Sequence, residues 1–205
     1  MVKAKSRAAA TIFFVVFVCF AWVDKPKMVK VKVNNDISVL VPKEWSAMDP
    51  LDVAQRYPSV RKPLVAYTNE DRTADFSVNI SATQWPDADL SLSQRFFKSS
   101  LLNMFDKVDI IGEGVREVNK RKFIYFEFES RMNGNRQNTG LKDPVVQYSY
   151  IQYLVDPDRT IVFSFHCPRR MREQWQETAQ AIMDGITVKR TQPQQENKEQ
   201  PTFSK

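Results

Sequence analysis

The residues able to do chemistry are few, and the densest group lies in FSFHCPRR at 163–170. It sets the only histidine, His166, beside Cys167, one of two cysteines. A Cys–His nucleophile needs the imidazole within hydrogen-bond reach of the thiol, with a third group to orient it. A zinc corner needs about four ligands, mostly Cys and His, and one histidine with two cysteines does not supply them. The segment also alternates as a strand. Ile161, Phe163, Phe165 and Cys167 point one way, and Val162, Ser164 and His166 the other. Cys167 is therefore expected to pack as a small hydrophobe and His166 to lie on the wetter face.

Two further constellations carry possible chemistry. Glu127 and Glu129 alternate with Phe126 and Phe128, so both carboxylates share a face near Phe123 and Tyr125. Paired carboxylates hydrolyse glycosides when they flank a cleft. On an exposed strand face such acids are ordinarily just solvated. A hydrolase using this pair stands as an alternative, which a deep pocket holding both would favour. Tyr125, Tyr148, Tyr150 and Tyr153 would form an aromatic surface suited to a partner, unless they are half-buried strand aromatics. Tyr125, Tyr148, Tyr150, Glu127 and Glu129 are the candidate partner contacts. No G-x-S-x-G, H-E-x-x-H, Walker or dinucleotide pattern occurs, and glycine is scarce at 5 residues. No catalytic, cofactor or metal residue is assigned.

The elements that must position these residues follow from periodicity. Val29, Val31 and Val33 alternate with lysines, Asn34-Asn35-Asp36 is turn chemistry, and Ile37, Val39 and Val41 resume the alternation, so a β-hairpin is expected. Asp49-Pro50 starts a short helix to about Tyr57. Strands follow at 63–70 and 74–83, the second with Phe76, Val78 and Ile80 on one face. Residues 89–106 switch to helical spacing, with Leu92, Phe96, Leu101, Met104 and Phe105 as the expected core stripe. Four strands come next at 108–119, 121–130, 145–155 and 159–167, turning at Asn119-Lys120 and Asp156-Pro157-Asp158, an antiparallel meander. A long polar loop is expected between 130 and 144. A last helix runs from Pro168 to Asp184 with Met171, Trp175, Ala179 and Ile182 inward and Gly185 as its cap. Ile186–Arg190 gives a final short strand that returns to the sheet.

Whole-chain properties bound the function. The 205 residues, 42% of them hydrophobic, fit one domain plus appendages. The formal charge is +6. Without Lys3, Lys5 and Arg7 the remaining 27 basic residues face 24 acidic ones, a balance that gives no case for nucleic acid. Lys120-Arg121-Lys122 and Arg169-Arg170 with Arg172 read as solvated faces, because no aromatic residues interleave with them. The start, MVKAKSRAAATIFFVVFVCFAWVDKPK, places three cations before an apolar run, the layout of a secretory signal. The run is shorter than the ~20 residues of a membrane-spanning helix, so cleavage is favoured over a permanent anchor across 1–23. The domain is then expected over 28–189 and a disordered polar tail over 190–205.

ISVLVPKEW at 37–45, ADFSVNIS at 74–81, GVREVNKRKFIYFEF at 114–128, FSFHC at 163–167 and the closing helix with Trp175, Ile182 and Ile186 together resemble the PsbP-like α/β/α sandwich over about residues 29–189. That superfamily includes an extrinsic photosystem subunit, a Ran-binding nuclear import factor, the DcrB envelope proteins and chaperones of type VI secretion effectors. The resemblance implies an α+β fold: one antiparallel sheet of about six to eight strands, a meander, flanked by helices. With the N-terminal layout it implies the exported DcrB-like branch and a non-catalytic binding or assembly factor of the bacterial envelope, docking by a sheet face or aromatic edge on an envelope protein. A membrane-anchored component or chaperone of a secretion system is the alternative. No cofactor is expected, and membrane contact only through the N-terminal segment.

Overall fold

The computed structural model describes residues 26–58, 61–83, 85, 89–133 and 143–190. The expected signal or anchor, most of the 130–144 loop and the tail beyond 190 lie outside these residues. Met28–Lys32 (β1) and Ile37–Pro42 (β2) form the hairpin. Asn34 makes its turn: Oδ1 accepts from the N–H groups of Asp36 and Ile37 at 2.9 and 2.8 Å. Ser46–Ala47 (β3) precedes Pro50–Arg56 (α1), which starts where the Asp49 carboxylate accepts from the Leu51 and Asp52 N–H groups. Val65–Thr68 (β4), Asp75–Ile80 (β5) and Leu90–Met104 (α2) follow. Lys107–Val118 (β6), Arg121–Met132 (β7), Val145–Val155 (β8) and Thr160–Pro168 (β9) make the meander. A 3-10 turn, Arg169–Met171, runs into Arg172–Asp184 (α3), and Thr187–Val188 (β10) closes the described chain.

The strands form two antiparallel sheets. Seven lie in the order β3-β4-β5-β9-β8-β7-β6, and three in the order β1-β2-β10. The final strand therefore returns to β2 of the small sheet rather than to the large one. α2 carries the chain from β5 to the far edge of the large sheet, where β6 begins. The alternation of each strand builds a core on each face. On one side Ile124, Phe126, Phe128 and Ile151 meet Phe97 and Leu101 of α2. On the other, Phe123, Tyr148, Phe163 and Phe165 meet Ala179 and Ile182 of α3 and Ile37, Val39 and Val41 of β2. The result is an α+β fold in three layers, with α2 on one face and α3 with the small sheet on the other.

The stripe expected for α2 holds at Leu101 and at half-buried Phe105, but Leu92, Phe96 and Met104 turn outward. Ser93, Phe97 and Leu101 are buried, whereas Leu92, Phe96 and Met104 are exposed. Both sets satisfy the i, i+4 spacing. Phe97 stacks on Tyr153 at 4.1 Å and 6°, and Ser93 is fully buried on the same face of the helix. Tyr153 thus faces α2, opposite to Tyr148 and Tyr150. Among the described residues no helix is long and apolar enough to cross a membrane.

Candidate functional site

The pairing of β7 with β8 brings the five sequence-selected residues together. Glu127 stands opposite Tyr150, Glu129 opposite Tyr148 and Tyr125 opposite Gln152. The side chains Tyr125, Glu127, Glu129, Tyr148 and Tyr150 all rise on the face covered by α3. That cover changes their role. Tyr148 and Tyr150 are buried, as is Glu127. Of the two readings of the tyrosines, buried strand aromatics holds for Tyr148 and Tyr150, because the 3-10 turn and the first turns of α3 lie over them. The expectation of two solvated carboxylates is corrected for the same reason. Only Tyr125 and Glu129 are half-exposed.

The buried members of this group, Glu127, Tyr148 and Tyr150, each have a partner. Glu127 Oε1 accepts from the Tyr148 hydroxyl at 2.8 Å and from Gln176 Nε2 at 2.6 Å. Burial, then the hydrogen bond to Glu127, pushes the Tyr148 phenol well above its ordinary range. Glu129 Oε2 faces Arg169 Nε at 2.7 Å, and Oε1 accepts from Arg172 Nη1 at 3.1 Å. Arg172 Nε in turn donates to Gln176 Oε1 at 3.2 Å, and its guanidinium lies 6.0 Å from the centre of the Tyr148 ring. One carboxylate therefore fixes two arginines, and the second ties the helix to the sheet. Arg116 extends the seam: Nη1 donates to the Tyr150 hydroxyl at 2.6 Å, and the same guanidinium pairs with Asp184. The Tyr125 ring lies over Gly112 and Gly114 of β6, where an added Cβ would sit 3.5 and 3.4 Å from it. Gly114 has φ +153, a value that side chains disfavour.

Above Glu129 a concavity of about 650 Å³ opens, lined by Glu129, Arg169, Arg170, Arg172, Glu173 and Gln176. Glu127 is not in its lining. The two carboxylates engage neighbours within the protein and do not converge on one cleft, the arrangement the hydrolase alternative requires. Arg170 is exposed and has no ion-pair partner among the described residues. Composition made the three arginines a solvated face. It missed the clamp because Glu129 lies on a strand some forty residues earlier. One signal was present: Arg172 and Gln176 are four residues apart, directly beside the inward stripe of Met171, Trp175 and Ala179.

The histidine and the thiol separate as strand geometry requires. Cys167 is buried in the α3-side core. Burial pushes its thiol up to about 12. His166 faces the α2 side, where Nδ1 lies 2.9 Å from Ser149 Oγ on the adjacent strand. Burial lowers its pKa, and the negative charge of Asp75 opposes that shift. Both residues border a cavity at this end of the sheet, with His166 turned toward it. Among the described residues no three His, Cys, Asp or Glu side chains are grouped to hold a metal ion.

No family model matches the chain, and no curated protein sequence matches it. Solved structures do. The cyanobacterial PsbP protein CyanoP of Synechocystis sp. PCC 6803 matches with a TM-score of 0.56 at 12% identity, over 82% of this chain and 96% of that one. LpqN of Mycobacterium tuberculosis, described as involved in cell envelope biogenesis, matches with a TM-score of 0.52 at 11% identity, over 80% and 91%. The fold is PsbP-like. At these identities the likeness extends to the fold alone.

Proposed function

We propose that the chain is an exported, non-catalytic accessory protein of the bacterial envelope, which binds an acidic segment of a partner protein through the arginine-edged face above Glu129. The observation that carries this reading is the clamp of Arg169 and Arg172 on one carboxylate, beside Arg170, which has no ion-pair partner among the described residues, around an open concavity. A guanidinium held by a carboxylate has already lost much of its rotamer freedom, so it costs less entropy to bind with. Its remaining N–H groups form a planar fork suited to carboxylates. The N-terminal layout supports export and the DcrB-like branch. LpqN's description as an envelope-biogenesis protein is compatible with such a role. Tyr148 and Glu127 serve here as the buried support of the clamp, and Tyr125 and Glu129 as its half-exposed border.

The test is capture from envelope extracts with the full-length chain and its Arg170→Glu variant. A protein retained by the parent at low salt, released at high salt and absent from the variant supports the proposal. Equal retention by both proteins, or no retained partner, contradicts it.

A further inference from the structure

The α2 face of the large sheet divides in two. One end is apolar and lies under α2. At the other end, beyond Phe105, the same face turns polar, in register across strands. Asp75 of β5 pairs with His166 of β9, and His166 with Ser149 of β8. One step along, Gln147 of β8 lies between Pro168 of β9 and Ser130 of β7. Asp75, His166, Gln147, Ser130 and Pro168 floor a cavity of about 710 Å³, within the range of about 300–1,000 Å³ usual for small-ligand sites.

Three floor groups are uncommitted. His166 has Nδ1 engaged by Ser149, and its Nε2 has no hydrogen-bond partner among the described residues. The Gln147 amide and the Ser130 hydroxyl line the cavity and likewise have none among those residues. All three are neutral groups able to donate or accept, set on neighbouring strands about 4.8 Å apart. The ionic groups at the mouth are paired within the protein. Arg56 Nη1 meets Asp75 at 3.3 Å, and Arg72 pairs with Asp52. The Tyr57 hydroxyl donates to Asp75 at 2.7 Å. Among the described residues, no unpaired charge is therefore offered to an ion. Phe105, Met132 and Val145 add apolar walls.

We infer that this cavity binds an uncharged, hydroxyl-rich ligand of saccharide type, with hydroxyls on His166, Gln147 and Ser130 and ring C–H faces against Phe105 and Met132. A purely apolar ligand would strip water from the three floor groups and return nothing. Arg56 and Arg72 are balanced by Asp75, Asp49 and Asp52, so an anion would meet no excess positive charge there. Burial keeps the imidazole neutral near pH 7, in keeping with an uncharged ligand. The site is on the sheet face opposite the arginine clamp and does not depend on it.

His166 is the only histidine, so histidine labelled with nitrogen-15 in the ring gives a single imidazole reporter in the untagged full-length chain. In a sugar-free detergent, that chain is titrated with cellobiose, with diacetylchitobiose and with sodium phosphate at constant pH. The expected result is a saturable shift of the Nε2 resonance with at least one disaccharide, at millimolar or lower concentration, and none with phosphate. Gln147→Ala, at a half-exposed position, should weaken that binding by about threefold to tenfold, the loss expected of one hydrogen bond. An Nε2 resonance unmoved by both disaccharides, or moved as much by phosphate, overturns the inference. So does a disaccharide affinity that Gln147→Ala leaves unchanged.

Discussion

Glu129 and His166 show how much one side chain's surroundings decide. Glu129 takes two guanidiniums with 14% of its side chain exposed. Exposed ion pairs are ordinarily worth ~0–1 kcal/mol, so the clamp matters more for orienting Arg169 and Arg172 than for stability. His166 has the opposite problem, a titratable ring that burial holds neutral. Its folded-state pKa lies below the value of about 6.5 expected when unfolded. Above both values the ring is neutral in either state and pH has no effect through it. As pH falls below about 6.5 the unfolded chain takes up a proton that the native ring resists, so stability declines, by at most ~1.4 kcal/mol per pH unit for one site. The negative charge of Asp75, itself paired with Arg56 at the cavity mouth, opposes this trend. Urea midpoints measured between pH 7.5 and 5.5 should fall for the parent and stay flatter for His166→Gln, which cannot charge. Parallel curves would show that the ring's environment does not distinguish its two forms.

At the scale of elements, a period-two pattern told which residues share a face but not what covers that face. Phe123, Tyr125, Glu127 and Glu129 were correctly placed together from sequence, yet whether their face is wet depends on α3, which follows forty residues later. The meander, the turn at Asn119-Lys120 and the helix start at Asp49 were legible because their signals are local. Asn119 and Lys120 do take positive φ, 48 and 65. The inward face of α2 was legible only at Leu101 and Phe105, since Leu92–Phe96 and Phe97–Leu101 offer two adjacent stripes of equal spacing. The stack of Phe97 on Tyr153 belongs to tertiary packing. Gly185 also gains its meaning from packing. Its φ of −83 suits any residue, so a cap reading from conformation alone is incomplete. An added Cβ would lie 2.5 Å from Leu40 Cγ and 2.6 Å from its Cβ, on β2. Gly185→Ala should therefore cost about 1–3 kcal/mol by forcing α3 away from the small sheet, read as a lower thermal midpoint. Glu177→Ala, exposed on the same helix, should change it little. An unaltered midpoint in Gly185→Ala would mean that the α3–β2 contact yields without cost.

At the scale of the whole molecule, the two faces of one sheet do different things. The α2 side leaves one end open over a neutral polar floor. The α3 side closes over its tyrosines and presents a rim of arginines. The fold places these surfaces on opposite sides of a shared sheet, each over its own core, so each can be altered without the other. The most direct measurement of the central claim is photo-crosslinking in living cells with a photoreactive residue at position 170, against a control at exposed Leu51 on α1. The account predicts a discrete adduct with an envelope protein from position 170 and none from position 51, lost when Arg169 and Arg172 are both changed to glutamate. No adduct at 170, or the same adduct at both positions, would contradict it.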